Sequence, residues 1–77
     1  MKKFVKAEST DDRFSDVWKG GNDFIQSISI WKGKSAYGVY WCVQINTLII
    51  DEFNTRDKAV AFAQKLVDLL NETEDLK

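Results

Sequence analysis

The C-terminal third of the chain carries one wide apolar stripe, and this stripe limits what the rest can fold into. On a helical wheel, residues 54–71 place their large apolar side chains on one side, with Val60 and Val67 at its edge. Asn54 or Thr55 supplies an N-cap. A helix of this kind is stable when it covers an apolar surface such as a sheet. The stripe consists of Ala59, Phe62, Ala63, Leu66, Leu69 and Leu70.

Residues 24–31 alternate between apolar and polar side chains, which is typical of a strand with one buried face. A two-residue turn at Gly33 and Lys34 would join this strand to residues 37–45, because Gly suits the first central position of a type II′ turn. Partners directly across such a hairpin share a face. The predicted pairs are Ile30 with Tyr37, Ile28 with Val39, Gln26 with Trp41 and Phe24 with Val43.

A second hairpin is predicted to turn near Asn46 and Thr47 and to begin a third strand at Leu48. Its predicted pairs are Ile45 with Leu48 and Val43 with Ile50. With the helix on one face of these strands, one small apolar core follows. The predicted core comprises Phe24, Ile28, Ile30, Val39, Trp41, Val43, Ile45, Leu48, Ile50, Phe62, Leu66 and Leu69.

The first 23 residues are predicted to form a short edge strand and a short helix that cover the meander. Residues 2–8 carry three lysines, which suit an exposed edge. Residues 9–21 open with Ser9 and Thr10 as N-cap candidates, and three apolar residues recur at helical spacing. A loop or a strand is the alternative, because the segment is too short to be helical on its own. The residues at helical spacing are Phe14, Val17 and Trp18.

These elements predict an α+β fold. Its main part is an antiparallel three-stranded meander packed on one C-terminal helix, and an extra N-terminal edge strand and short helix are optional additions. A chain of 77 residues suits one domain, so residues 1–77 are expected to form a single domain. Its parts are 1–23 as the N-terminal cover, 24–51 as the meander, 54–71 as the helix and 72–77 as a frayed tail.

The composition offers little chemistry for catalysis. The chain has no histidine and one cysteine, Cys42, so the commonest general base is missing and no internal disulfide can form. Asp51 and Glu52 are adjacent and would point to opposite faces of a strand. The segment from Lys32 to Lys34 lacks the other positions of a phosphate-binding loop. We therefore predict a protein that is not an enzyme and that uses no metal and no cofactor.

The predicted registers leave one face of the sheet without a helix. This face carries Trp31 and Tyr40 and is too apolar to be plainly solvated. Three interpretations remain for what covers this face: the N-terminal segment, a second copy of the chain, or a partner molecule. The residues on this face are Ile25, Ser27, Ser29, Trp31, Tyr40, Cys42, Gln44 and Ile49.

An aromatic-rich, near-neutral chain without catalytic groups is typical of a protein-binding module, since Trp and Tyr are enriched at binding hot spots. We predict that the chain binds another protein, or itself as a homodimer through the sheet face. Small accessory or inhibitor proteins of phages and mobile elements are the class that it fits. The predicted partner-binding residues are Trp31, Tyr40, Lys32, Lys34, Ile25 and Ile49.

The alternative is weak binding of single-stranded or duplex nucleic acid through the same face. The two aromatic rings, flanked by Lys32 and Lys34 at the hairpin tip, supply the parts of a base-stacking platform. The spacing of Phe53, Thr55 and Ala59 also resembles arm-type DNA-binding domains of recombinases, and this resemblance covers only three residues and the topology. The formal net charge of −1 gives no general attraction to phosphates, so nucleic acid ranks second.

The sequence also predicts where the protein resides. The N-terminus has no apolar run long enough for a signal peptide, and no stretch could span a bilayer. The unpaired Cys42 suits a reducing compartment. We therefore expect a cytoplasmic protein without a membrane partner.

Overall fold

The computed structural model describes residues 2–21 and 24–75. Five strands form one antiparallel open sheet in the order β1-β2-β3-β4-β5, and one C-terminal helix packs on it. The α+β class, the antiparallel sheet and the C-terminal helix are as predicted, but the sheet has five strands rather than three. The elements are β1 (Lys2–Ala7), β2 (Phe14–Gly21), β3 (Ser27–Ser35), β4 (Gly38–Ile45), β5 (Leu48–Phe53) and α1 (Arg56–Asp75).

The short helix predicted over residues 9–21 is wrong, because residues 14–21 form the inner strand β2. Both faces of β2 are covered, so Asp16, Val17 and Trp18 are all buried. Val17 and Trp18 are adjacent because they point to opposite, covered faces of the sheet. Together with Phe14 they give the i, i+3, i+4 spacing that suggested a helical face. Hydrogen-bonded pairing with β1 and β3 on either side outweighs this local pattern. The predicted N-terminal edge strand is present as β1.

The β3–β4 hairpin turns at Ala36 and Tyr37 rather than at Gly33 and Lys34, and Ser35 pairs with Gly38. The Ser35 hydroxyl stabilises this later turn, since it accepts the Tyr37 N–H at 3.2 Å and donates to the Gly38 carbonyl at 3.4 Å. The predicted register is therefore wrong. It differs by an even number of residues, so the strand residues keep their predicted faces. The observed pairs include Ile28 with Ile45, Ile30 with Val43 and Lys32 with Trp41.

The β4–β5 hairpin turns at Asn46 and Thr47, as predicted, and Ile45 pairs with Leu48. Among the non-glycine residues that the structure describes, only Asn46 has a positive φ, at 55°. Asn tolerates this left-handed conformation, and Thr47 avoids it. The predicted pairing of Val43 with Ile50 is wrong. An extra residue in β5 shifts the register, so Val43 pairs with Asp51.

Helix α1 begins directly after Thr55, whose hydroxyl accepts the Lys58 N–H at 3.3 Å. This is one of the two predicted N-caps. The helix continues to Asp75, so residues 72–75 are helical rather than frayed. The end of the predicted tail, residues 76–77, lies outside the described residues.

The core lies between α1 and the centre of the sheet. The helix approaches through Ala59, Ala63 and Val67, so Val67 stands at the centre of the stripe and not at its edge. Small side chains on the helix leave room for Trp18 and Phe4 from the two N-terminal strands. Of the predicted core, Ile28, Ile30 and Val43 are buried, and Trp41, Ile45, Phe62 and Leu66 pack around them.

Five residues predicted for the core are exposed instead. One helix is too narrow to cover the hairpin tip and the edge strand β5, and these places hold most of the five. Phe24 is the most exposed of them, because it precedes β3 and takes no place in the sheet. The exposed residues are Phe24, Val39, Leu48, Ile50 and Leu69.

Candidate functional site

The face of the sheet opposite α1 is called here the open face. Strand alternation and the observed registers place on it all but one of the residues predicted for the uncovered face. Ile25 is the exception, because it precedes β3 and packs against the core under the helix. Strand β2 adds Val17 and Lys19, and β5 adds Glu52. The open face carries Val17, Lys19, Ser27, Ser29, Trp31, Tyr40, Cys42, Gln44, Ile49 and Glu52.

Trp31 and Tyr40 form an edge-to-face pair on the open face. Their ring centroids are 6.2 Å apart and their planes meet at 69°. Tyr40 stands directly across from Gly33, and a β-carbon at Gly33 would overlap its ring. This contact explains the glycine within β3. Gly33 leaves room for the Tyr40 ring and is not a turn residue. Both rings are half-buried, so each has a fixed position and a face left for contact.

A chain of polar contacts holds Trp31 in place. Its indole N–H donates to Gln44 Oε1 at 3.0 Å, and Gln44 Nε2 donates to the Asn46 carbonyl at 2.9 Å. The Asn46 side chain in turn accepts the N–H groups of Gln26 and Ser27, at 2.9 and 3.2 Å. The orientation of Trp31 is therefore set by the β4–β5 turn.

The segment between β1 and β2 forms a wall beside the open face. Ser9 donates its hydroxyl to the Asp11 carbonyl at 2.7 Å, and the Phe14 N–H donates to the same carbonyl at 3.0 Å. The Arg13 guanidinium and N–H donate to the Asp11 carboxylate. These hydrogen bonds lower the pKa of Asp11 to about 2. The predicted N-terminal cover thus supplies two strands to the sheet and one wall above it.

This wall and the sheet enclose a cleft of about 290 Å³, called here the N-terminal cleft. Its floor comes from β2, β3 and β4, and Asn46 and Thr47 bound its far side. A second cleft of about 560 Å³ lies beside Trp31 and shares Phe14, Gln44 and Thr47 with the first. The open face therefore has two adjoining clefts beside the aromatic pair.

Of the six predicted partner-binding residues, Ile25 packs against the core, and the structure separates the other five into two groups. Trp31, Tyr40 and the 45 % exposed Ile49 share the open face. Strand alternation puts Lys32 and Lys34 on the other face. The Lys32 ammonium stands 5.8 Å from the centre of the Trp41 ring, on the helix side.

An ion cluster under the start of α1 was not foreseen from the sequence. The Arg56 guanidinium donates twice to the Asp16 carboxylate, at 2.8 and 3.0 Å, and the Lys6 ammonium donates to it at 2.6 Å. The Ser15 hydroxyl donates at 2.7 Å. Burial opposes ionisation of Asp16, but these donors outweigh it and lower its pKa to about 2. Asp16 and Arg56 are 40 residues apart in the sequence, so no local pattern predicts that they pair.

The one cysteine is poorly placed for nucleophilic chemistry. Cys42 is fully buried, and its thiol lies 3.9 Å from a Glu52 carboxylate oxygen. Burial and that carboxylate raise the pKa of the thiol, which disfavours the reactive thiolate. Within residues 2–21 and 24–75, no three His, Cys, Asp or Glu side chains are grouped to hold a metal ion. Over the same residues, no helix is long and apolar enough to cross a membrane.

Comparison with known proteins yields no relative. No protein-family model, no curated protein and no solved structure matches the chain.

Proposed function

We propose that the chain is a non-enzymatic protein-binding module and that the open face is its binding surface. The observation that carries this proposal is the fixed aromatic pair. Trp31 is hydrogen-bonded to Gln44, and the Tyr40 ring packs against Gly33, so both rings have fixed positions in the unbound protein. Rigid, half-exposed aromatic side chains lose little conformational entropy on binding, which is why they dominate binding hot spots. A role as a small accessory or inhibitor protein accords with this surface.

Two features favour a protein over a nucleic acid as the partner. Strand alternation puts the Lys32 and Lys34 side chains on the other face from the aromatic pair. Lys32 and Arg13 line the cleft beside Trp31, but the Arg13 guanidinium is paired with Asp11 and the Lys32 ammonium lies against the Trp41 ring. The formal net charge of −1 provides no compensating attraction to phosphates. A partner surface with apolar and neutral polar groups suits the open face better.

The test compares matched variants in a binding screen. The immobilised chain captures partners at 0.15 and 0.5 M NaCl, and captured proteins are identified by mass spectrometry. Trp31→Ala and Tyr40→Ala remove the pair, whereas Tyr37→Ala removes a fully exposed aromatic ring at the hairpin tip. We expect a partner that binds the wild type and Tyr37→Ala at both salt concentrations and is lost from the other two variants.

Two further measurements test the other two partners, a second copy of the chain and nucleic acid. Light scattering over a concentration series detects a homodimer, and a fluorescent single-stranded oligonucleotide reports nucleic-acid binding. If that oligonucleotide binds with a steep salt dependence that Lys32→Ala with Lys34→Ala abolishes, the nucleic-acid alternative replaces our proposal. A partner that Trp31→Ala and Tyr40→Ala retain would remove the open face as the binding surface.

A further inference from the structure

The floor of the N-terminal cleft contains a buried hydroxyl that has no partner among the described residues. Ser29 lies in the middle of this floor, between Val17 of β2 and Gln44 of β4. Its exposed fraction is 4 %, and its hydroxyl makes no hydrogen bond within residues 2–21 and 24–75. Buried polar groups in folded proteins are almost always hydrogen-bonded, so an exception calls for a bound water or a ligand group.

The other polar groups of the floor show what remains free. Both ends of the Gln44 amide are used, by Trp31 and by the Asn46 carbonyl. Ser27 lies two residues before Ser29 on the same face, and its hydroxyl also has no partner in the described part of the chain. The cleft therefore offers hydroxyl groups as its unused hydrogen-bonding capacity.

The charges around the cleft cancel. Glu8 and Lys19 line it with opposite sign, and the Asp11 carboxylate is neutralised by the Arg13 guanidinium. A buried ion without a net opposite charge is unfavourable, so a neutral ligand group fits this balance best. The Phe14 ring completes the lining with an apolar surface, and Val17 adds a second one on the floor.

We propose that the N-terminal cleft receives a tyrosine side chain of the partner, with its hydroxyl bonded to Ser29 and its ring against Phe14 and Val17. This proposal rests on the protein-binding function proposed above. The volume of about 290 Å³ accommodates one aromatic side chain. Phenylalanine would leave the hydroxyl of Ser29 unpaired, and a charged side chain would meet no net opposite charge. Tyrosine combines the apolar body and the neutral polar end that the cleft requires.

Two neutral probes test the proposal without a known partner. N-acetyl-tyrosinamide and N-acetyl-phenylalaninamide differ only in the hydroxyl, and each is titrated into the ¹⁵N-labelled full chain. We expect saturable shifts of the Val17, Ser29 and Gln44 amides, and about 5- to 10-fold tighter binding of the tyrosine probe, the range of one hydrogen bond. Ser29→Ala should abolish this preference. Ser35→Ala, at the distant hairpin tip, should retain it.

Unfolding of the Ser29→Ala variant separates a ligand-binding hydroxyl from a structural one. Since no bond within the described chain is lost and an unpaired buried hydroxyl is removed, we expect the urea midpoint to stay the same or to rise. A lower midpoint would show that the hydroxyl supports the fold and would overturn the proposal, as would equal affinities of the two probes or shifts confined to other residues.

The captured partner separates this proposal from the proposed function. A partner lost from Trp31→Ala but bound equally by Ser29→Ala would refute the tyrosine pocket and leave the binding module standing. Tyrosine-probe binding at the cleft, together with a partner that Trp31→Ala retains and Ser29→Ala loses, would refute the aromatic pair as the binding contact and leave the tyrosine pocket standing.

Discussion

The side chain of Asn71 binds both backbone polar groups of Phe4, 67 residues away. Its Oδ1 accepts the Phe4 N–H at 2.7 Å, and its Nδ2 donates to the Phe4 carbonyl at 3.0 Å. Phe4 lies at a register shift of the edge strand β1, where the ladder with β2 is interrupted. The helix thus takes the place of a neighbouring strand at this position and protects part of the sheet edge.

Asn71→Ala should lower the free energy of unfolding by about 1–3 kcal/mol, because two backbone groups at a half-buried site lose their partner. Urea unfolding followed by tryptophan fluorescence measures this change. Glu72→Ala is the matched control, since Glu72 is the exposed neighbour on the same helix. Equal stability of the two variants would mean that water replaces the amide at no cost.

Asp16 should make stability depend on pH in the acid range. Its pKa is about 2 in the folded protein, against an ordinary value of 3.8. A lowered folded pKa adds stability that is fully present above about pH 4 and is lost as the pH falls from about 4 to about 2. The shift corresponds to about 2 kcal/mol. Urea unfolding between pH 2 and 7 measures this loss.

Asp16→Asn should remove that part of the pH dependence and lower the stability at pH 7 by a similar amount, about 2 kcal/mol. The half-buried Asp11 titrates in the same range, so Asp11→Asn serves as the control that keeps the Asp16 contribution. An acid loss that persists undiminished in Asp16→Asn would assign the effect to other carboxylates.

Asn46 combines a strained backbone with side-chain bonds, and two substitutions separate these contributions. Asn46→Gly keeps the positive φ but loses the bonds to Gln26, Ser27 and the Phe24 carbonyl. Asn46→Ala loses the bonds and also strains the backbone, so it should be less stable than Asn46→Gly by about 1 kcal/mol. Urea midpoints measure the order. If Asn46→Ala proved the more stable of the two, backbone strain would not govern this turn.

Cys42 should react with iodoacetamide only when the protein opens. The thiol is fully buried and its pKa is raised, so both access and the thiolate fraction are reduced. We expect labelling in native buffer to be slower than in urea by several orders of magnitude, on the order of the unfolding equilibrium constant. Ala36→Cys in a Cys42→Ala background places a thiol at the exposed tip and should label quickly. Fast labelling of native Cys42 would show that β4 unfolds locally and exposes the thiol.

The candidate site was predicted in part. Trp31, Tyr40 and Ile49 share the open face because alternation along a strand assigns faces regardless of register. Ser29 appears in the predicted uncovered face, but its burial could not be foreseen, since the wall above it comes from a segment that was predicted to be helical. The lysines were grouped with the aromatic pair only because they are close in sequence.

The period of each element from β3 onward and the apolar side of α1 can be read from the amino-acid sequence alone, because these depend on neighbours within a few residues. That residues 14–21 form a strand and that Asp16 meets Arg56 emerges only in the folded chain. Each of these depends on contacts between segments distant along the chain, and local propensity is weaker than the hydrogen bonds and burial that such contacts provide.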